Sequence, residues 1–326
     1  MHPPRFGLFL LPNDVREATT AARRAEDDGY YSVSVNDHFY SPFGGPRTPQ
    51  LECFTVLTAM AMVTRRVKLA PAVVAASFRA PSLLAKCATT LDHASEGRLI
   101  LGLGAGWQVS EYLAHGYPFP PTAQRVEELG EQLQVLKALW TQDEPAYKGK
   151  YFSIENGGNN PRPLQRGGPP IMLGGSAPSI LKLAAEHATV LNIIPPTSNG
   201  KDFPNDPVAT VKFTMDVMKK KIAALGELMK ANGRKPEDME LGGLLLLGLS
   251  RHQQDSALRD MAKQLGFPDY ASAQRSPVAL LGTPAEVRDE IARRIEDTGV
   301  TYYMMFAATD ESWTLFSKEV LPHFAR

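Results

Sequence analysis

The chain has 326 residues, of which 43% are hydrophobic and 21% are charged, as in a globular protein with a large buried core. Its 35 basic and 35 acidic residues balance, and no basic block is interleaved with aromatic residues. We therefore do not expect the protein to bind nucleic acid. No apolar run approaches the roughly 18 residues of a membrane span, and the apolar N-terminal run lacks a signal-peptide cleavage site, so we expect a cytoplasmic protein without membrane association. Cys53 and Cys87 lie in apolar helical patterns and are predicted to be reduced core residues.

Short apolar runs alternate with helical patterns along the whole chain. The runs predict eight strands, over residues 6–11, 31–35, 67–74, 99–101, 171–173, 189–194, 241–249 and 301–306. Apolar stripes predict helices over 15–28, 51–64, 81–95, 125–140, 208–232, 256–265, 284–298 and 313–324, with one more beginning at Pro178. Eight such units without a break in composition predict an α/β protein with one domain over residues 1–326, folded as a (β/α)8 TIM barrel. A doubly wound open sheet is the alternative.

Three insertions, at 141–170, 195–210 and 266–280, hold most of the roughly 75 residues beyond a minimal barrel. The first is rich in aromatic residues and prolines and leaves room for a short hairpin. After the third, Thr283 and Glu286 have the spacing of a capping box, and Pro284 takes the first helical position.

The sequence GRLILGLGAGW at 97–107 carries the most unusual pattern. Residues 99–101 predict a buried strand, and Trp107 comes after three alternating glycines, Gly102, Gly104 and Gly106. Bare backbone at the end of a strand lets a ligand approach closely, and the alternative is a turn that needs small residues for packing. A dinucleotide fingerprint is disfavoured, because Trp107 stands where its third glycine should be and the strand is the fourth rather than the first.

Four unusual stretches fall at the carboxyl ends of predicted strands, where barrel enzymes have their active sites. They are Asp37 with His38, residues 73–77, residues 102–107 and residues 174–177. None contains the serine of a nucleophile elbow, and the seven histidines never pair at i and i+4, so neither a nucleophilic triad nor a metal site is predicted.

Two of these stretches indicate a chemistry. Residues 174–177 precede a helix and offer backbone amides and a helix dipole, which suit a phosphate. His38 suits proton transfer, with Asp37 beside it to bias its charge. A plain strand-to-helix turn and a histidine that only closes a loop are the alternatives. Together with the small residues around Trp107, these features predict a flat heterocycle with a phosphate tail, without naming the heterocycle.

The chain resembles the bacterial luciferase-like family of flavin and deazaflavin oxidoreductases over nearly its whole length. The residues that carry the resemblance are 28–30, 36–39, 78–81, 85–86, 91–92, 97–98, 102–107 with Glu111, Arg125, 170–175 and 282–284. The resemblance implies a (β/α)8 barrel with insertions that forms a homodimer and binds FMN or the deazaflavin coenzyme F420 at its mouth.

The resemblance also implies roles for single residues. His38 matches the histidine that faces the reactive ring and would be catalytic, with Asp37 beside it. Ala72 and Val73 lie where the deazaflavin branch often has a non-proline cis peptide behind the ring. The ring edge is assigned to Gly104, Ala105, Gly106 and Trp107, and the phosphate to Gly174, Gly175, Ser176 and Ala177. Trp107 replaces the acidic residue of the sugar-phosphate dehydrogenases, which argues against that substrate and leaves Glu111 as the nearest acid.

These matches favour an oxidoreductase that uses coenzyme F420 for hydride transfer to or from a small organic substrate. The alternative is an FMN-dependent monooxygenase, in which reduced flavin and O2 oxygenate the substrate and a separate flavin reductase is a further partner. A non-catalytic flavin-binding barrel is the third interpretation. The sequence names no substrate.

Overall fold

The computed structural model describes residues 2–196, 206–252 and 255–324. In chain order, the strands of this part are β1 (Arg5–Phe9), β2 (Ser32–Ser34), β3 (Lys68–Leu69), β4 (Val74–Ala75), β5 (Leu101–Gly104), β6 (Tyr147–Lys148), β7 (Ser153–Ile154), β8 (Ile171–Gly174), β9 (Val190–Asn192), β10 (Glu240–Leu249), β11 (Ala279–Gly282) and β12 (Tyr302–Ala307).

Eight strands form a closed parallel ring in the order β1, β2, β3 with β4, β5, β8, β9, β10 and β12, and β12 pairs again with β1. β3 and β4 are two parts of one strand, interrupted by Pro71 and the cis peptide Ala72-Val73. β3 pairs with β2, β4 pairs with β5, and Leu69 bridges Leu99, which closes the ring. The predicted (β/α)8 barrel is confirmed, and the alternative of an open sheet is wrong.

The helices pack around this ring. They are α1 (Val15–Asp27), α2 (Cys53–Val63), α3 (Pro81–Ala94), α4 (Val109–Ala114), α5 (Thr122–Thr141), α6 (Pro178–His187), α7 (Pro207–Lys212), α8 (Met215–Ala231), α9 (Ser256–Gln264), α10 (Tyr270–Gln274), α11 (Pro284–Thr298), α12 (Asp310–Leu315) and α13 (Leu321–Phe324). Between α12 and α13, Phe316–Val320 form a π-helical segment.

The hydrophobic pattern explains why these elements assemble. One face of the ring strands packs inside the barrel and the other packs against the surrounding helices. Leucines on these strands, such as Leu8, Leu101 and Leu191, are therefore fully buried. Burial of a leucine side chain stabilises the fold by roughly 1.5–3 kcal/mol. The apolar stripe predicted for α1 comprises Val15, Ala18, Ala22 and Ala25; the three alanines are buried, which lets the helix approach the sheet closely, whereas Val15 at the first position is exposed.

Side-chain caps determine where several helices begin. The Asp14 carboxylate accepts from the Glu17 amide at the start of α1. At α11 the predicted capping box is confirmed, because the Thr283 hydroxyl accepts from the Glu286 amide and the Glu286 carboxylate accepts from the Thr283 amide.

The structure differs from the sequence-based elements at four places. The predicted helix 208–232 is divided into α7 and α8, because Thr214 caps the second helix by accepting from the Val217 amide. α4, α10 and β11 were not predicted; β11 pairs with β10 outside the ring. The suggested hairpin in the first insertion is formed by β6 and β7. Most of the predicted insertion 195–210 lies outside the described residues.

Within the described ranges, no helix combines the length and the hydropathy that crossing a membrane requires. In the same ranges, no cluster of three or more histidine, cysteine, aspartate or glutamate side chains is arranged to hold a metal ion. Both cysteines are free thiols; Cys53 is buried and Cys87 is half-buried against the core.

Candidate active site at the carboxyl ends of the barrel strands

A cavity of about 320 Å³ opens at the carboxyl ends of the barrel strands. Its volume lies within the range of small-molecule sites. Its wall includes all the residues to which the resemblance assigns a role at the cofactor: Asp37, His38, Ala72, Val73, Gly104, Ala105, Gly106, Trp107, Gly174, Gly175, Ser176 and Ala177. The structure thus brings the four unusual stretches together around one space. Their roles in binding and catalysis remain predictions.

Asp37 is buried and is held by Arg79. The Arg79 guanidinium donates to both carboxylate oxygens, at 2.7 and 2.9 Å, and the Ala75 amide donates at 3.1 Å. Burial opposes the charged form of Arg79, but the hydrogen bonds and the charge of Asp37 raise its pKa above the ordinary value. Asp37 therefore ties the loop after β2 to the segment after β4. Its carboxylate oxygens thus accept from Arg79 and Ala75, and the expectation that Asp37 biases the charge of His38 stays a prediction.

His38 instead pairs with Glu111. Its Nδ1 lies 2.7 Å from Oε2 of Glu111, whose side chain is completely buried, and the Phe39 amide donates to the other carboxylate oxygen. An ionised carboxylate only accepts hydrogen bonds, so beside ionised Glu111 the Nδ1 atom is the donor of this pair, and Nε2 is the ring nitrogen that Glu111 does not contact. Among the described residues, Nε2 has no hydrogen-bond partner. The imidazole also meets the Trp107 ring edge-to-face, with centroids 5.6 Å apart.

Aromatic packing fixes the short helix α4 that carries Glu111. Tyr112 is buried between Phe78 and Phe119, with ring centroids 4.6 and 4.9 Å away. Its hydroxyl lies 2.6 Å from that of Ser77, and burial raises the pKa of Tyr112 to about 12. The neutral phenol therefore anchors α4 to the segment after β4, which holds the Glu111 carboxylate next to His38.

The three alternating glycines have separate packing roles. A side chain at Gly102 would collide with the Pro71 carbonyl, and one at Gly106, where φ is 75°, would collide with the Tyr112 hydroxyl. At Gly104 an added Cβ would lie 2.8 Å from a methyl group of Val73. Gly102 and Gly106 are thus required for packing, in line with the alternative interpretation, while Gly104 and Gly106 also line the cavity.

The cis peptide Ala72-Val73 stands where the resemblance implies one. The Val73 side chain lies between the Cα atoms of two glycines on neighbouring strands. An added Cβ would come within 2.8 Å of it at Gly104 and within 3.1 Å at Gly174. The absence of both side chains leaves a shallow floor formed by Val73, against which a flat ring fits.

The segment before α6 retains free backbone donors. The Gly175 amide donates to the Asn192 carbonyl, and the Ser176 hydroxyl donates to the Ile194 carbonyl. In contrast, within the described part of the chain, no acceptor binds the amides of residues 176, 177, 179 and 180. The Lys221 ammonium donates to the Ser176 carbonyl at 2.6 Å, and burial lowers the pKa of this lysine. Free amides, a helix N-terminus and a nearby cation are the features that bind a phosphate.

Three amide side chains that line the cavity have a buried atom without a partner among the described residues. They are Nδ2 of Asn36, Oε1 of Gln108 and Oδ1 of Asn192. Buried polar groups are nearly always hydrogen-bonded in complete native structures. One unpaired donor and two unpaired acceptors therefore remain to bind the polar edge of a heterocycle. This agrees with a flat ring bound against Val73 and with a phosphate bound at the free amides among residues 176–180, here called the phosphate seat.

The sequence did not identify several residues of this site. Asn192 ends β9, so the rule that barrel sites lie at carboxyl ends of strands applies to it. Asp37 and Arg79 lie in the motifs at 36–39 and 78–81, but no sequence pattern indicated that the two side chains pair. Glu111 was noted only as the nearest acid, and its contact with His38 depends on α4, which has too few residues for a helical pattern.

Comparison with known proteins gives a consistent result. The family model described as luciferase-like monooxygenase matches residues 2–202. An uncharacterized protein of Mycobacterium tuberculosis is 34% identical over 49% of this chain, and the match spans only 61% of that protein. The 5,10-methylenetetrahydromethanopterin reductase of Methanopyrus kandleri is 27% identical, with 98% of both chains covered.

Other matches carry the name of a cofactor, and two different cofactors occur among them. The FMNH(2)-dependent dimethylsulfone monooxygenase of Pseudomonas putida is 25% identical over 85% of this chain and 68% of that protein. Among solved structures, an F420-dependent secondary alcohol dehydrogenase in complex with an F420-acetone adduct has a TM-score of 0.80, with 20% identity and full coverage of both chains. At this identity the likeness supports the fold alone.

Proposed function

The chain belongs to the luciferase-like monooxygenase family, and on this premise we propose that it is an oxidoreductase that uses coenzyme F420 for hydride transfer to or from a small organic substrate. Family membership supports a flavin-type cofactor and an enzymatic role, since the relatives include F420-dependent and FMN-dependent oxidoreductases. The choice of F420, the substrate and the homodimer remain proposals.

The arrangement of His38 and Glu111 is the observation that carries the proposal. His38 borders the cavity, and its Nε2 has no partner among the described residues. Every other titratable side chain that lines the cavity has one there, and Glu111 fixes the tautomer of His38. A hydride transfer to a carbonyl or from an alcohol requires a proton to be moved as well, and a positioned imidazole does this near neutral pH.

The residues present fit the cofactor. The free amides before α6 would hold its phosphate, with the Lys221 ammonium bound behind them to the Ser176 carbonyl. Val73 would support one face of the ring, and Trp107 would lie at the ring edge. The amides of Asn36, Gln108 and Asn192 would bind its polar edge. When bound, F420 supplies a ring carbon that accepts or donates a hydride.

The protein would contribute orientation and proton transfer. In alcohol oxidation, Nε2 of His38 would accept the hydroxyl proton of the substrate, and the resulting imidazolium would be stabilised by the Glu111 carboxylate. In the reverse direction the same Nε2 would return the proton to the carbonyl oxygen. Asp37 and Arg79 would keep the loop that carries His38 in place.

FMN-dependent oxygenation is the second candidate, favoured by the Pseudomonas putida relative and the family description. Oxygen dependence separates the two. With oxidised F420 and a reducing substrate, we expect cofactor absorbance to be lost under strictly anaerobic conditions. Turnover only with reduced FMN, accompanied by O2 consumption, would reject F420-dependent hydride transfer. Tight cofactor binding without any turnover would favour a non-catalytic flavin carrier.

A further inference from the structure

A second cavity lies at the opposite end of the barrel, where the strands begin, and is here called the amino-end cavity. Its volume of about 810 Å³ lies within the range of small-molecule sites. The first residues of four ring strands line it: Arg5 of β1, Lys68 of β3, Ile171 of β8 and Glu240 of β10. Among the described residues, none lines both this cavity and the one at the carboxyl ends. A ligand bound here would therefore not compete with one bound there.

Three cations border the amino-end cavity without an opposite charge beside them. They are Lys68 at the start of β3, Lys137 on α5 and Arg166 in the loop before β8. In the described part of the chain, none of them forms an ion pair with a carboxylate. Lys68 makes one long hydrogen bond, 3.4 Å, to the Gly97 carbonyl, and burial lowers the pKa of its ammonium group. An anion in this cavity would give all three a counter-charge.

Packing fixes the loop that carries Arg166 on both sides. Before it, Gln165 donates to the Leu99 carbonyl at 2.8 Å, two residues after the carbonyl that receives the lysine of β3. After it, Gly168 packs against the Trp140 ring so closely that a side chain at Gly168 would collide with it. The loop therefore joins the start of β3 to the end of α5, and it brings the three cations to one region of the cavity.

Trp140 provides an independent indication of a ligand. It is only 4% exposed and lines the amino-end cavity, and its Nε1 has no hydrogen-bond partner among the described residues. A buried indole N–H usually has an acceptor. Lys137 stands three residues earlier on α5, which places the two side chains on the same face of the helix. An oxygen of an anion beside Lys137 would supply the acceptor that Nε1 lacks.

The carboxylates of this cavity do not neutralise these cations. Glu240 accepts from Arg5 at 2.8 Å, and Asp238 accepts from the Lys235 amide at 2.9 Å. Glu186 is exposed to solvent at the end of α6. With neutral histidines, the lining carries four cations and three carboxylates. The excess charge is positive, and it lies where the indole N–H is also available.

We propose that the amino-end cavity binds a small organic phosphate, whose anionic group lies among the three cations and accepts from Nε1 of Trp140. A phosphate carries up to two charges and several acceptor oxygens, so it can bind more than one cation at once, whereas a carboxylate carries a single charge. The organic part packs against Ile100, Leu133 and Ile171, which line the same cavity. This inference is independent of the proposed function, because it concerns the other end of the barrel.

Three probes test the chemistry of the ligand: phenyl phosphate, inorganic phosphate and benzoate. In isothermal titration calorimetry we expect phenyl phosphate to bind about tenfold or more tightly than inorganic phosphate, which lacks the apolar part, and than benzoate, which lacks the second charge. Equal affinity of inorganic phosphate would overturn the assignment of an organic ligand. Equal or tighter binding of benzoate would overturn the assignment of a phosphate, and no binding of any probe would overturn the site.

Substitutions make the test specific to this cavity. Lys137 and Arg166 are exposed, so Lys137→Gln and Arg166→Gln are compatible with folding. Each should weaken phenyl phosphate binding about fivefold or more, because a charged partner of the anion is lost. Lys182→Gln is the matched control, since Lys182 is exposed on α6 and lines neither cavity. Trp140→Phe removes only the indole N–H and should also weaken binding. Equal losses in the control, or no loss in the other variants, would reject the assignment.

A substitution at the opposite end separates this site from the phosphate seat. Ser179→Asp, which adds a negative charge at the phosphate seat, should leave the binding of phenyl phosphate unchanged. Phenyl phosphate should also bind in the presence of saturating F420. Displacement of phenyl phosphate by F420, or its loss in Ser179→Asp, would place it at the carboxyl ends and overturn the proposal. A protein that binds phenyl phosphate in this way but neither F420 nor FMN would reject the proposed function and retain the amino-end site.

Discussion

Nδ1 of His38 lies 2.7 Å from Oε2 of Glu111, a carboxylate that is fully buried on a short helix. The pair joins the end of β2 to the segment after β5 across the mouth of the barrel. Because the carboxylate accepts from Nδ1, the imidazole is held in one tautomer with Nε2 as its free nitrogen. The position of this nitrogen is the basis for the first two predictions.

His38→Ala removes the group that we assign to proton transfer. We expect kcat to fall by about 10²- to 10⁴-fold, the usual contribution of a general acid or base. The affinity for cofactor should change much less, because the phosphate seat and the Val73 floor remain. Steady-state kinetics and a cofactor titration check the two effects separately. Near-normal kcat with an unchanged pH–rate profile would mean that His38 only closes the loop.

Glu111→Gln keeps the size of the side chain and removes its charge. If Glu111 acts through His38, kcat should fall by about 10- to 100-fold in the single variant, the size of effect known for carboxylates that orient metal-bound histidines. The same change should have little further effect in a His38→Ala background, since residues in contact are coupled. Additive losses in the double variant, measured by the full kinetic cycle, would reject this positioning role.

Ser179 offers a clean test of the phosphate seat. It is the second residue of α6, is exposed and lines the cavity, whereas Gly175 has a φ of 134° that a side chain would strain. A carboxylate in this turn agrees with the helix dipole, so Ser179→Asp should fold normally. We expect about tenfold or more weaker cofactor binding in Ser179→Asp, with a smaller loss at high salt. Ser179→Asn is the uncharged control, and an equal loss in both variants would count against repulsion of a phosphate.

Glu240 predicts a pH dependence of stability at the other end of the barrel. It is 4% exposed at the start of β10, and burial raises its pKa above the ordinary value of 4.5, although Arg5 donates to it at 2.8 Å. The native state therefore binds more protons than the unfolded state as the pH rises above 4.5, so this contribution to stability decreases with pH. We expect urea unfolding to show the wild type losing stability relative to Glu240→Gln between pH 4.5 and 7. A difference in unfolding free energy between the two proteins that stays constant over this pH range would contradict the prediction.

The barrel itself could be predicted from the sequence because parallel strands are buried on both faces. Runs such as Leu99 to Leu101 are therefore continuously apolar, and all eight ring strands overlap a predicted run. The strand ends follow from the same pattern, so the cavity-lining residues within the four unusual stretches were also recognised. Periodicity specifies where an element lies and which end of the ring a residue occupies.

The side-chain partners could not be predicted in this way. Asp37 and His38 are adjacent, yet one binds Arg79 and the other binds Glu111, because successive residues point in different directions. α4 has only six residues and is placed by Tyr112 packing rather than by an apolar stripe. Phe9 was also missed as a residue of the cavity wall, since it looks like an ordinary core residue of β1 until the ring closes.

Binding of the cofactor is the most direct test, and Trp107 provides the signal. Trp107 lines the cavity, whereas the other two tryptophans, Trp140 and Trp313, do not. In a fluorescence titration we expect saturable quenching by F420, one equivalent per chain, with at least tenfold higher affinity than for FMN. Trp107→Phe should lose most of the quenching, while equilibrium dialysis still detects F420 binding. Tighter binding of FMN would contradict the choice of F420, and the absence of saturable binding of either cofactor would contradict the assignment of this cavity as a flavin-type site.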